Sequence, residues 1–320
     1  MKKKILLLET LAEEAMELLE SADEVEVLMG LDESSLQTAV KSNDIAAIIT
    51  RGKGQVRANL MDQIPSLKII ARAGVGLDNI DVIAASKRGI KVVNAPNSNA
   101  NTIAEHTISL MLNLQRNLFT AFTMVKEGRW DERGTYQGDE LHGKTLGILG
   151  MGNIGKKVAR IAEVLGMKVC YWSAYKEAVS YPKLSLQEVL ISSDVVSLHL
   201  PLTPETENLI NDQALNQLKT GALLINTARG KIIDQKALLH ALDSEKLGGF
   251  AADVLAVEPP KAEDNPLIRH PKTLITAHVG SLTKTTYTQM CTMTVKNTLA
   301  ILSGQEPMEN CIFNQKELTE

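Results

Sequence analysis

Cysteine is scarce in this sequence, long apolar runs are missing, and neither charge sign is in large surplus. Its three cysteines, Cys170, Cys291 and Cys311, are odd in number and far apart. That excludes a disulfide framework or a thiolate zinc site and leaves reduced packing residues in a cytoplasmic compartment as the expectation. The opening "MKKKILLLETLAEE" has a basic front, but its apolar run from Ile5 to Leu8 stops at Glu9, too short for the core of a secretory signal. No uninterrupted apolar stretch reaches spanning length, so a membrane is not an expected partner. Lys+Arg 34 against Asp+Glu 38 leaves a net charge of -4 with no long single-sign block, so nucleic acid is not expected either. Acidic residues do not cluster with histidine at ligand spacing, and no metal is expected. Low-complexity linkers and internal repeats of roughly 20–50 residues are also missing.

What is present is 320 residues, 44% of them apolar and 22% charged, enough for two globular domains with separate cores. The runs "KILLLE", "VEVLMG", "AAIIT", "LKIIARAG" and "IKVVNAP" alternate with amphipathic stretches such as "LAEEAMELLE" and "SSLQTAVK". Short β-rich runs separated by helical ones predict a parallel sheet covered on both faces. A second series, "TLGILG", "KVCYW", "VVSLHL", "ALLINTA", "GGFAADV" and "TLITAHVG", repeats the pattern. The expected fold is therefore α/β with two doubly wound parallel-sheet domains, a Rossmann-type cofactor domain inserted into a flavodoxin-like substrate domain. The expected bounds are 1–98 plus 285–320 for the substrate (lid) domain and 99–284 for the dinucleotide-binding domain. Ile103, Leu110, Leu114 and Leu118 recur at helical spacing, which predicts one long helix from Asn101 to Lys126 capped by Asn101 or Thr102 and able to bridge the domains. A further helix from Leu282 to Leu302 is expected to return to the first domain.

"TLGILGMGNIGKKVARIAEVLG" places Gly150, Gly152 and Gly155 between a strand and a helix. Gly150 suits the tight turn, Gly152 the approach of a pyrophosphate, and Gly155 close helix–strand packing, while the amides of Asn153 and Ile154 open a helix whose positive end favours an anion. The next strand ends in Trp172 and Ser173 rather than in the carboxylate that holds an adenosine ribose. NAD is the expected cofactor, with NADP not excluded; Ser173 offers a donor and Lys176 lies nearby in sequence.

Arg229, Glu258 and His278 each follow one of the later strand-like runs, and in an open parallel sheet the ends of such strands face one crevice. Together with "RAGVGLDNID", "NAPNSNANTIAEHT", "SLHLPLTPETENLI", "NTARGKIID", "ADVLAVEPP" and "TAHVGS", these residues make the chain resemble the D-isomer-specific 2-hydroxyacid dehydrogenase family over nearly its whole length. The resemblance implies that Arg229, Glu258 and His278 are catalytic and that the amides of Val75 and Gly76 hold the substrate carboxylate. It also implies that Thr227, Ala228, Asp253 and Gly280 join the glycine loop around the cofactor, and that two chains pair through the cofactor domain. The chemistry agrees: oxidising a 2-hydroxy acid needs a base for the hydroxyl proton, a carboxylate that tunes it, and a guanidinium fork for the substrate carboxylate. His106, His142, His199, His240 and His270 have no matched role and are expected to be structural or at the surface.

Within the family, "RAGVGLDNIDVIAASKRGIKVVNAPN" and "GRWDERGTYQGDELHGKTLGILG" resemble most the members that oxidise 3-phosphoglycerate to 3-phosphooxypyruvate. That resemblance assigns the substrate phosphate to Arg51, Arg72 and Arg116, with Lys53 nearby. The chain departs from those members in the glycine-rich "TRGKG" and in Trp172, and its end at Glu320 is expected to leave no room for their C-terminal serine-sensing domain. Glyoxylate or hydroxypyruvate reduction is the alternative activity. A non-enzymatic, dinucleotide-sensing corepressor is the distant one.

Overall fold

A computed structural model describes residues 2–42, 44–174, 179–261, 263 and 265–318. The chain divides into two compact units, Met1–Asn99 with Leu282–Glu320, and Ala100–Ser281.

In the first unit the β-rich runs fold as β1 (Lys3–Leu7), β2 (Val25–Met29), β3 (Ile45–Thr50), β4 (Ile69–Arg72) and β5 (Lys91–Val93). Between them lie α1 (Glu13–Glu20), α2 (Glu33–Ser42), α3 (Ala58–Asp62) and α4 (Val82–Lys87). Helix α3 was not anticipated, because five residues are too short to display a helical period. All strands pair in parallel in the order β2-β1-β3-β4-β5, the flavodoxin-like order. Strand β3 shows why both faces need cover: Ala47 and Ile49 belong to one buried apolar cluster, Ile45 and Ile48 to another.

The second unit contains β6 (Thr145–Leu149), β7 (Lys168–Trp172), β8 (Val195–Leu198), β9 (Ala222–Asn226), β10 (Leu247–Ala252) and β11 (Thr273–Ile275). Its helices are α5 (Ala100–Gln115), α6 (Leu118–Lys126), α7 (Asn153–Val164), α8 (Leu186–Ser192), α9 (Asp212–Gln217) and α10 (Gln235–Asp243). This sheet is parallel too, in the order β7-β6-β8-β9-β10-β11. Strand order reverses between β6 and β8, and the crevice beyond the carboxyl ends at such a switch point is where doubly wound sheets take ligands. Helix α11 (Lys284–Ser303) returns to the first unit, where Cys291, Val295 and Leu302 are buried with Ala71 and Val93.

The single long helix expected from Asn101 to Lys126 is instead two helices. Asn117 between them adopts a left-handed conformation with φ 46°, which asparagine tolerates better than most residues. The side chain of Asn113 then accepts from the amide of Phe119 at 2.9 Å, satisfying a free donor at the start of α6. The first of the pair begins at Ala100, so Asn101 and Thr102 lie within its first turn and not at its cap. Hydrophobic spacing continued through the break, which is why periodicity alone missed it. Helix α5 packs within the second unit, with Ala104, Ile108 and Met111 buried beside Val158 and Ala162 of α7. Among the described residues no helix is long and apolar enough to cross a membrane.

Candidate functional site

The glycine loop leaves β6 at the switch point. Gly150 has φ 99°, and a Cβ there would stand 2.4 Å from the carbonyl oxygen of His199. The Gly150 amide donates to the Trp172 carbonyl at 2.8 Å, tying the turn to the end of β7. A Cβ on Gly155 would lie 2.2 Å from the Gly150 oxygen, whereas one on Gly152 would meet nothing within 4 Å. Gly155 is therefore a packing requirement, while Gly152 faces open space at the N-terminus of α7, where the amides of Asn153 and Ile154 begin the helix. This combination fits a dinucleotide's pyrophosphate. Trp172 packs against the apolar cluster that holds Leu149, Cys170 and Leu198, and Ser173 is buried. Lys176 lies outside the described residues. His199, at the end of β8, keeps its Nε2 2.9 Å from the Ser197 hydroxyl, and burial drives its pKa down to about 3, so it stays neutral at ordinary pH.

Three further loops leave the same carboxyl edge of this sheet. After β9, the buried side chain of Asn226 accepts from the Ala228 amide at 3.0 Å and donates to the Arg229 carbonyl at 3.0 Å. That clasp sets the backbone from which Arg229 projects; its Nη1 donates to the Ala228 carbonyl at 2.7 Å. Gly230 follows because a Cβ there would stand 2.0 Å from the Leu255 carbonyl carbon, so this loop and the one after β10 touch backbone to backbone. Thr107 of α5 donates to Ile103 and receives the hydroxyl of Thr227 at 2.8 Å, fastening the β9 loop to α5.

Glu258 accepts the Leu255 amide on Oε1 at 2.9 Å and faces His278 Nδ1 from Oε2 at 2.6 Å. Burial acts to raise the Glu258 pKa, but the His278 and Leu255 hydrogen bonds outweigh it and hold the carboxyl below its ordinary value. The hydrogen bond that His278 donates to Glu258 raises the pKa of His278, opposed by burial and by the positive charge of Arg229. With Nδ1–H donating to Glu258, a neutral His278 has Nε2 as an acceptor.

His278 is itself in the left-handed region, φ 54°, a strain of about 1–2 kcal/mol for a residue with a Cβ. The buried Asp253 carboxylate compensates it, accepting from the amides of Val279 at 2.9 Å and Gly280 at 2.8 Å. It also takes the Thr276 hydroxyl at 2.5 Å and lies 3.4 Å from His106 Nε2. Asp253 and Gly280, expected beside the cofactor, thus also shape the His278 loop. Asn226, Thr107, Thr276 and His106 were not anticipated as parts of the site. "AEHT" and "NTARG" contain three of them, but only the fold brings them to these loops.

In the first unit the loop after β3 closes around Glu9. Its Oε1 accepts from the Thr50 hydroxyl at 3.1 Å and from the amides of Arg51 at 2.9 Å, Gly52 at 2.6 Å and Gly54 at 3.0 Å. A Cβ on Gly54 would lie 2.6 Å from that of Leu8, a physical reason for the second glycine of "TRGKG". Burial would raise the Glu9 pKa, yet these amides keep it below the ordinary value. Arg51 stands 3.7 Å from the same carboxylate and 5.1 Å from the ring centroid of Tyr287. Arg72 bends back to the carbonyl of Gly76. With Asn94 donating to the Val75 carbonyl at 2.8 Å, the carbonyls of this loop are held, and its amides at Val75 and Gly76 have no intramolecular partner among the described residues.

Arg116 stands apart from these loops. His106 and Thr107 meet Thr276 and Thr227 at the carboxyl edge of the sheet, whereas Leu114 packs where a Cβ of Gly249 would be, in the first half of β10. Helix α5 therefore runs away from that edge, and at 1.5 Å per residue Arg116 stands roughly 15 Å beyond His106. Within one chain it does not join Arg229, Glu258 and His278.

Fold and loop geometry define a Rossmann-type dinucleotide-binding unit with a histidine–carboxylate pair on its ligand edge. Residues 108–280 match the model of the D-isomer specific 2-hydroxyacid dehydrogenase, NAD binding domain. The chain belongs to that family, and NAD(P) is its cofactor class. It is 38% identical over 308 residues to a D-3-phosphoglycerate dehydrogenase of Methanocaldococcus jannaschii, covering 94% of this chain and 58% of that protein. Identity to a hydroxypyruvate reductase of Thermotoga maritima is 38% over 277 residues, covering 85% and 90%. Among solved structures, the TT0316 protein from Thermus thermophilus superposes with a TM-score of 0.88 at 38% identity, covering 95% and 98%. The chain spans about half the length of the D-3-phosphoglycerate dehydrogenases it matches.

The two glycines are expected to separate on substitution. Gly152→Ala should cost no more than about 1 kcal/mol in stability yet weaken dinucleotide affinity roughly tenfold, read by titration of cofactor fluorescence. Gly155→Ala should lose about 1–3 kcal/mol in urea unfolding. Equal stability in the two variants would remove the distinction.

Proposed function

We propose that the chain is an NAD(P)-dependent oxidoreductase that interconverts D-2-hydroxy acids and 2-keto acids. The observation that carries this reading is the 2.6 Å pairing of His278 with Glu258 on the edge that also bears Arg229 and the glycine loop. In oxidation His278 Nε2 takes the proton of the substrate hydroxyl while hydride leaves C2; in reduction it returns that proton to the carbonyl oxygen. A bound nicotinamide supplies the hydride acceptor or donor. Glu258 fixes the tautomer and stabilises the imidazolium, and Arg229 grips the carboxylate and polarises the carbonyl. In the first unit, the amides of Val75 and Gly76 are the ones assigned to the substrate carboxylate. Asn153, Ile154, Trp172, Ser173, Thr227, Ala228, Asp253 and Gly280 are the assigned cofactor neighbours.

The substrate proposed is 3-phosphoglycerate, oxidised to 3-phosphooxypyruvate with NAD in serine biosynthesis. The relatives named D-3-phosphoglycerate dehydrogenase and the cation Arg51 support it. Hydroxypyruvate or glyoxylate reduction is the second reading, favoured by the Glu9 carboxylate beside Arg51, which offsets its charge, and by the Gly76 carbonyl, which occupies a donor of Arg72. The missing acid at the end of β7 predicts weak discrimination against NADP. A spectrophotometric panel decides: 3-phosphooxypyruvate, hydroxypyruvate, glyoxylate and pyruvate, each with NADH and NADPH. A large preference for an unphosphorylated acid would remove the phosphate assignment, and no turnover with NADH-dependent capture of a protein partner would favour the corepressor alternative.

We also propose a cytoplasmic homodimer joined through the cofactor unit, with no nucleic-acid or membrane partner. Phe119, Phe122 and Val125 of α6 stand exposed, as does Trp130, an apolar face that a second chain would cover. Light scattering should give the mass of two chains; one chain's mass would exclude the pairing.

The pH profile has a definite sign. Because Glu258 raises the pKa of His278 above its ordinary 6.5, oxidation, which needs the neutral ring, should rise with pH through a midpoint above that value. Reduction should fall over the same range. Glu258→Gln should move both midpoints to lower pH, and His278→Ala should cut kcat roughly 10²–10⁴-fold with little change in cofactor affinity. Activity like the natural chain's in His278→Ala would end the assignment.

A further inference from the structure

His106 had no expected role, yet its ring lies behind the loop that carries His278. Its Nε2 is 3.1 Å from the Thr276 hydroxyl oxygen and 3.4 Å from Asp253 Oδ1. The Thr276 hydroxyl is 2.5 Å from Asp253 Oδ1, so its proton belongs to the carboxylate and its oxygen is left as an acceptor. Both neighbours of His106 Nε2 are then acceptors, and that nitrogen must carry a proton. The imidazole is mostly covered, 21% exposed, which gives the bond weight that an exposed one lacks.

We infer that His106 is a positioning residue for His278: its Nε2–H braces the Thr276–Asp253 clasp, and the clasp holds the Val279 and Gly280 amides that keep His278 left-handed and aimed at Glu258. A buried carboxylate accepting from two successive amides is a rigid support only while its remaining lone pairs are satisfied. Thr276 satisfies Oδ1 directly and His106, from α5, holds the Thr276 hydroxyl in place, and without them water or a rotated carboxylate would take their place. Gly280 adds to the fit, since a Cβ there would be 2.8 Å from Asp253 Oδ2 and 3.3 Å from the His106 ring. The inference rests on the proposed role of His278, but its physical content, the orientation of that ring, can be read without turnover.

The test uses the full chain. In a spectrum of nitrogen-labelled histidine, the natural protein should give a downfield Nδ1 proton for His278 bonded to Glu258, identified by its loss in His278→Ala. His106→Phe keeps the volume and removes the donor. It should shift or broaden that resonance and lower kcat roughly 10- to 100-fold, with the substrate KM and the cofactor dissociation constant within about threefold of the natural chain's. His106→Gln restores an N–H close to the Nε2 position and should recover most of both signals. Thr276→Val, which deletes the bridging hydroxyl, should reproduce the His106→Phe spectrum and serves if His106→Phe does not fold. Unchanged His278 resonance and kcat in His106→Phe with only a lower melting temperature, or His106→Gln as impaired as His106→Phe, would reduce His106 to a packing residue. If no substrate turns over in any form, the function proposal fails while the resonance still decides the positioning role.

Discussion

Every strand of the second unit points the same way, and a parallel strand must be followed by a crossover that begins at the carboxyl edge. The loops after β6, β9, β10 and β11 are therefore delivered to one side of the sheet before any side chain is considered. Arg229, Asp253, Glu258 and His278 all lie on those loops. What remains is to bring the loops close enough for side chains to meet, and glycine does that. At Gly150, Gly155 and Gly230 a Cβ would fall within 2.0–2.4 Å of a neighbouring backbone atom, so each contact exists only because there is no side chain. Across two further loops of the same edge, His278 meets the Glu258 carboxylate at 2.6 Å.

Carboxylates then hold the loops in shape. Glu9, Asp253 and Glu258 all remain charged although burial favours their neutral forms, because backbone amides and side-chain donors converge on them. In each case the acid is distant in sequence from at least part of the loop it organises. Glu9 gathers the amides of residues 51–54, and Asp253 gathers those of Val279 and Gly280. The negative charge that steadies the Arg51 loop also reduces the net positive field of that arginine. A single device thus stabilises the fold and bears on the proposed choice of substrate acid.

Much of this was legible from residue order. Short β-rich runs alternating with amphipathic ones separated the strands from most helices, and the glycine loop announced its partner. The errors share a cause. Helix α3 was too short for a pattern, and the break at Asn117 left the pattern uninterrupted. The bracing of Asp253 by His106 and Thr276 joins residues 170 positions apart at its widest, and no local signal marks it.

The sequence alone determined the two parallel sheets, the dinucleotide loop and the residue types of the proposed hydride-transfer chemistry. These follow from short-range rules: side-chain periodicity, glycine's freedom and the pKa of imidazole. Tertiary structure decided which of those residues meet. It turned Arg72 onto its own loop, sent Arg116 to the far end of its helix, engaged Arg51 with Glu9 and joined His106 to Asp253. Each depends on the direction of a chain segment in space, a quantity set by the packing of whole layers and not encoded in any local run of residues.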